Sequence, residues 1–216
     1  MKKFRHLLAE FAGTCALLCA VIGSGIMAEQ LSQGNTAVAL LANTLVTVFA
    51  LYVLIETLGP ISGAHFNPLV TVFFSLVEKW TWTFTVLAVI CQLAGAVAGA
   101  WLAHAMFDLN IWQLSTKVRT GYGQWLAEAV ATAGLMTVIL LSPKNKSSSL
   151  VASYIGAAYW FTASTSFANP AAVLGRMMSD TFAGISPHDA PAFVAAEITG
   201  IGFVFIIYKL LESKDS

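Results

Sequence analysis

The sequence predicts an all-α membrane protein with six transmembrane helices and two re-entrant half-helices arranged as an inverted repeat. Three observations predict it. Apolar residues make up 57% of the chain against 10% charged. A row of hydrophobic stretches is long enough to cross a bilayer, and two matching Asn-Pro pairs sit in apolar surroundings. Globular chains carry about 25% charged residues, and a mean hydropathy of +0.76 leaves too little polar surface for water. The formal net charge is zero and no basic run occurs, so the lipid bilayer is the expected partner and nucleic acid is not. Cys15, Cys19 and Cys91 lie within apolar stretches. Their spacing fits neither a disulfide framework nor a zinc site, and no metal or cofactor is expected.

A span needs about 20 mostly apolar residues. The stretches at 7–27, 36–57, 82–106, 123–142, 149–167 and 191–211 are assigned as spans. Met1-Lys2-Lys3-Phe4-Arg5 before the first of them is reminiscent of a signal peptide. Glu10 interrupts that run, however, and bulky Leu18 precedes Cys19, so the segment is read as a retained first helix. Two stretches, 68–78 and 170–180, are too short to cross and are read as half-spans. The order span, span, half-span, span then occurs twice, in one membrane domain of residues 1–216 with repeats at about 1–106 and 122–216. Ala9-Glu10 is echoed by Ala127-Glu128, and Gln92-x-x-Gly95 by Glu197-x-x-Gly200. Three spans per repeat is an odd number, so the second repeat runs through the membrane inverted. Lys2, Lys3, Arg5, Lys79, Lys144, Lys146, Lys209 and Lys214 fall on one side, and only Lys117, Arg119 and Arg176 on the other. By the excess of Lys and Arg on cytoplasmic loops, both termini are expected in the cytoplasm.

Asn67-Pro68 and Asn169-Pro170 each open a half-span. Asn is a preferred N-cap and proline suits the first helical turn. A helix starting at the membrane midplane leaves orphan N–H groups and a partial positive charge there, tolerated only in protein or beside a wet cavity. Two half-helices entering from opposite faces aim both positive ends at one point, where a polar solute meets two Asn amides and a cation meets a barrier. The pattern implies a pore for uncharged molecules; two Pro kinks in packed helices are the plainer alternative. Glu10 and Glu128 are carboxylates deep in apolar spans, costly unless hydrogen-bonded. The residues alone leave a scaffold role and a proton relay open, with Gln92 and Glu197 at matching places in the two repeats. No nucleophile with a base, phosphate-binding loop or metal cluster suggests an enzyme.

The run Ala9-Glu10-Phe11-x-Gly13-Thr14, together with Ser62-Gly63-Ala64-His65-x-Asn67-Pro68, Gln92-x-x-Gly95, Glu128 and Asn169-Pro170-Ala171, resembles the major intrinsic protein family of aquaporins and aquaglyceroporins over nearly the full length. The resemblance implies a homotetramer with a pore in each protomer, Asn67 and Asn169 forming the central pair. It also implies a four-position filter. Counting from each Asn places it at Thr47, Ala157, Ser166 and Ala172, the last where the family usually has Arg. All four are small and uncharged, so a wide filter passing glycerol, urea or neutral arsenite and antimonite is expected. Leu69 replaces the usual Ala of the first motif, and its bulk is expected beside the central constriction. Gly175-Arg176-Met177-Met178-Ser179-Asp180-Thr181-Phe182-Ala183-Gly184-Ile185 resembles a bacterial branch associated with arsenic handling, which implies the inner membrane. His65 is expected at the inner mouth, and Arg176 either in the outer vestibule or paired with Asp180. An orthodox water channel, an anion or small-acid channel, and a non-conducting membrane protein remain the alternatives.

Overall fold

The computed structural model describes residues 1–212; Lys214 lies outside the described residues. Its α-helices are α1 (Lys2–Leu31), α2 (Thr36–Ser62), α3 (Pro68–Val77), α4 (Trp82–Met106), α5 (Tyr122–Leu141), α6 (Ser147–Phe161), α7 (Pro170–Met177) and α8 (Ala190–Glu212), with a single 3₁₀ turn at Lys144–Lys146. Five of them are long and apolar enough to span a membrane. The expected span at 149–167 is corrected: α6 stops at Phe161, and Thr162 is already extended. Fifteen residues of helix rise only about 22 Å; an irregular, turn-containing segment then leads to Asn169.

The two repeats pack alike. α1 lies on α4 and α2, α5 lies on α8 and α6, and α2 meets α6 across the middle. Glycine permits close crossings in both repeats. A Cβ on Gly95 would sit 2.4 Å from the Phe11 carbonyl oxygen, and one on Gly200 would sit 2.2 Å from that of Ala129. Large apolar side chains such as Phe49, Trp82, Ile90 and Phe203 point outward and stay exposed, as lipid-facing surfaces require.

Both short helices begin as their sequences predict. The Asn67 side chain accepts from Leu69 N at 3.0 Å, and the Asn169 side chain accepts from Ala171 N at 2.9 Å. A proline follows each cap in the first turn. At the end of the molecule away from the N-terminus, segment 107–121 is stitched to segment 178–189. Ser115 N donates to Met177 O at 2.9 Å and Ser186 N to Lys117 O at 2.7 Å. Asp180 accepts from both Thr116 N and Thr116 Oγ1.

Candidate functional site: a cavity through the helix bundle

The two caps meet at the centre of the molecule. Asn67 Nδ2 donates to Ala168 O and Asn169 Nδ2 donates to Phe66 O, each at 2.8 Å. Each carboxamide oxygen is occupied by its own helix start, which fixes the amide orientation. A primary amide nitrogen carries two hydrogens; one ties the loops together and the second remains for whatever passes.

The loops delivering these residues are bent unusually. Ala64 and Phe66 in the first, and Ser166 and Ala168 in the second, have φ between 47° and 52°. Left-handed backbone at a residue with a side chain costs about 1–3 kcal/mol and persists only where its surroundings impose it. Buried carboxylates impose it here. Glu10 Oε1 accepts from His65 N at 3.1 Å and Ser62 Oγ at 2.6 Å, while Oε2 accepts from Phe66 N at 2.8 Å and Gln92 Nε2 at 2.7 Å. Glu128 accepts from Phe167 N at 2.9 Å and Ala168 N at 2.7 Å, and Glu197 accepts from Asn169 N at 2.9 Å. All three carboxylates are fully buried. Gln92 also donates to Thr71 Oγ1 at 2.7 Å. Gln92 and Glu197 thus brace in different ways, one through a carboxylate and a hydroxyl, the other through a backbone N–H.

A cavity of about 710 Å³ runs past this centre. It is bordered by Glu56 and Ser148 towards the N-terminal side, by Asn67 and Asn169 in the middle, and by Thr47 and Arg176 beyond them. Glu56 accepts a hydrogen bond from Ser148 Oγ. His65 borders the cavity; its Nδ1 lies 3.1 Å from Thr71 Oγ1, and its ring stacks on Phe74 and Trp80.

Of the four expected filter positions, Thr47, Ser166 and Ala172 border the cavity. Ala157 is corrected: it is exposed on the other side of α6. Ser148, Val151, Ile155 and Tyr159 form the cavity-facing stripe of that helix, and Tyr159 OH lies 3.3 Å from Thr47 Oγ1. Two residues turn a helix by about 200°, so the displacement exchanges an alanine for a tyrosine at that level. The spacing of the stripe could have revealed it. Leu69 is also corrected: it packs on the apolar cluster of Val70, Phe73 and Met136 and does not border the cavity.

Arg176 does not pair with Asp180, whose Oδ1 is taken by Thr116. It is 2% exposed, donates from Nε to Ala183 O at 2.7 Å, and lies with its guanidinium 3.6 Å from the Phe167 ring centre. Of the two readings of Arg176, bordering the cavity is the one the structure shows, and aromatic Tyr159 and Phe167 stand in the wall beside the small positions. Arg119, which the sequence did not single out as a site residue, stands 5.1 Å from the same ring.

The two caps are tied to each other's loops, buried carboxyl groups hold both loops, and a cavity runs beside them. The Major intrinsic protein family profile matches residues 1–179. The chain belongs to the major intrinsic protein family. It is similar to aquaglyceroporin AqpS of Rhizobium meliloti (strain 1021), at 52% identity over 91% of this chain and 85% of that one. Aquaporin AqpM of Methanothermobacter marburgensis is 27% identical over 97% of this chain and 98% of its own. Among solved structures, the aquaglyceroporin from Plasmodium falciparum superimposes with a TM-score of 0.70 at 19% identity, covering 95% of each chain, which is a likeness of fold. As a major intrinsic protein this chain is an integral membrane channel for water and small uncharged solutes.

Proposed function

We propose that the channel passes glycerol-sized neutral solutes as well as water, with Asn67 and Asn169 donating to the solute at the midplane and Thr47, Tyr159, Ser166, Ala172 and Arg176 forming the selective outer level. The observation that carries this reading is the pair of amides, each with one hydrogen tied to the opposite loop and one to spare. A polyol presents hydroxyl oxygens to such donors and carbons to the apolar wall of Val151 and Ile155. Ala172 leaves out bulk beside the second motif, which favours a polyol over water alone. Cations and protons meet the positive ends of α3 and α7 and the Arg176 charge. Glu10, Glu128, Gln92 and Glu197 act as struts for the loops. Neutral arsenite and antimonite, with outward hydroxyl groups like those of a polyol, belong to the same solute class.

The assembly is a homotetramer in the bacterial inner membrane with both termini cytoplasmic, an orientation supported by the Lys and Arg distribution. Stopped-flow swelling of proteoliposomes tests the reading, with water, glycerol and sodium ions offered in turn. Glycerol flux well above empty vesicles without ion flux is expected. Water flux alone would make this an orthodox water channel and overturn the polyol reading. Arsenite accumulation in a host lacking its own uptake channel tests the metalloid part separately.

A further inference from the structure

We propose that the outer end of the cavity is a binding site for a small monovalent oxyanion, gripped by Arg176 with Arg119 and Lys117 behind it. The inference deepens the reading above, since the anion occupies the level at which neutral solutes are selected.

Among the described residues no carboxylate accepts a hydrogen bond from the side chain of Arg176, Arg119 or Lys117. Arg176 uses one of its five N–H donors on Ala183 O. Its terminal nitrogens have no hydrogen-bond partner among the described residues, although the residue borders the cavity. Arg119, 8% exposed, donates to two backbone carbonyls, Gly184 O at 2.7 Å and Ser164 O at 3.4 Å. Lys117 Nζ donates to Phe182 O at 2.6 Å and lies over the Phe182 ring. All three cations thus meet neutral acceptors and aromatic faces.

Carboxylates do stand in this part of the molecule, but backbone N–H groups hold them. Asp180 serves Thr116 N, Asp189 serves Arg119 N and Glu29 serves Phe182 N. Glu128 serves the second re-entrant loop. The C-terminal end of α7 and the carbonyls offset part of the positive charge. They leave the open edge of the Arg176 fork unmatched, and buried charge is costly unless paired. A guanidinium edge matches two oxygens of one anion in a bidentate grip.

The test uses methanesulfonate, an anion at every working pH, so that no neutral acid crosses the lipid, and its uncharged analogue dimethyl sulfone. Glycerol flux is followed in proteoliposomes at constant ionic strength while chloride is exchanged for methanesulfonate. Thermal unfolding of the purified channel is followed with the same additives. Methanesulfonate should slow glycerol flux saturably and raise the unfolding temperature, while dimethyl sulfone does neither. Arg176→Gln should weaken both effects about tenfold, the loss expected for one charge-assisted hydrogen bond, and Arg176→Lys should recover part of them. Methanesulfonate acting no differently from chloride and dimethyl sulfone overturns the proposal on the native protein, without relying on any variant. Effects that survive unchanged in a folded Arg176→Gln channel also overturn it. Absence of glycerol flux would sink the polyol reading instead, and the unfolding measurement would still decide whether an anion binds.

Discussion

Replacing Glu10 with glutamine changes one oxygen of a buried carboxylate into a donor and keeps its shape. Four donors converge on that carboxylate: Ser62 Oγ and His65 N on one oxygen, Phe66 N and Gln92 Nε2 on the other. Placed on the first side, the new amide can be accepted by the Ser62 hydroxyl after it turns, but His65 N–H loses its acceptor. Placed on the second, Gln92 can reverse its own amide, but Phe66 N–H loses its acceptor. One loop N–H is orphaned either way. A hydrogen bond to a charged group contributes about 1.5–3 kcal/mol, and those that remain weaken when the charge goes. Relief from burying a charge offsets part of this, leaving a net cost of about 3 kcal/mol. For a chain of this size, by the scale of soluble domains, that lowers the unfolding temperature by about 6–12 °C. The loss should appear in thermal unfolding of the detergent-solubilised channel. Glycerol flux should fall with it, because Ala64 and Phe66 are then free to leave their left-handed conformations. An unfolding temperature within 2 °C of the parent, with undiminished flux, would show that the charge on Glu10 is not what holds the loop.

The other predictions concern packing, the outer constriction and charge. Gly95→Ala and Gly200→Ala each drive a Cβ into a backbone carbonyl at 2.4 and 2.2 Å and should cost about 1–3 kcal/mol or more. Gly202→Ala, with nothing within 4 Å, should leave thermal unfolding unchanged. Ala157→Trp should leave swelling rates intact, whereas Tyr159→Ala should raise glycerol flux relative to water; the reverse pattern would restore Ala157 to the pore wall. Burial, with Arg119 and Arg176 nearby, lowers Lys117 to about 8, against a smaller opposing pull from Glu29. The charged form is disfavoured in the fold, so stability should rise with pH from about 8 towards the unfolded lysine value of about 10.4. Lys117→Met should flatten that rise in an unfolding-temperature profile.

What could be read from the sequence was chemistry completed within a few residues. Asn67-Pro68 and Asn169-Pro170 announce helix starts because the cap and its acceptor are two residues apart. Glu10 and Glu128 were legible as buried acceptors because such groups need donors in lipid, although which loop N–H groups they hold depends on packing across more than 35 positions. The filter was read less well. Counting back from Asn169 assumes that the irregular segment after α6 has a set length, and an error of two residues turns Ala157 outward and Tyr159 inward. Arg176 and Asp180 are spaced as helical neighbours, but α7 ends at Met177, and Thr116, distant in sequence, takes the aspartate. Leu69 follows a motif at the pore centre yet faces the helix bundle, because the first turn of α3 points that position towards Phe73 and Met136.

The exchange of hydrogen bonds at the midplane also bears on how the chain is made. Synthesis delivers Phe66 and Asn67 about a hundred residues before their partners Ala168 and Asn169. During that interval the first re-entrant segment has a strut in Glu10 but no acceptor for its Asn amide and no donor for its Phe66 carbonyl. Water or the insertion machinery must satisfy those groups until the second repeat arrives. The first half can therefore thread the membrane on schedule, but its pore segment cannot settle until the chain is nearly finished. A nascent channel stalled before residue 168 should present α3 as an unseated segment open to cleavage or labelling, and completion of the remaining chain should close it.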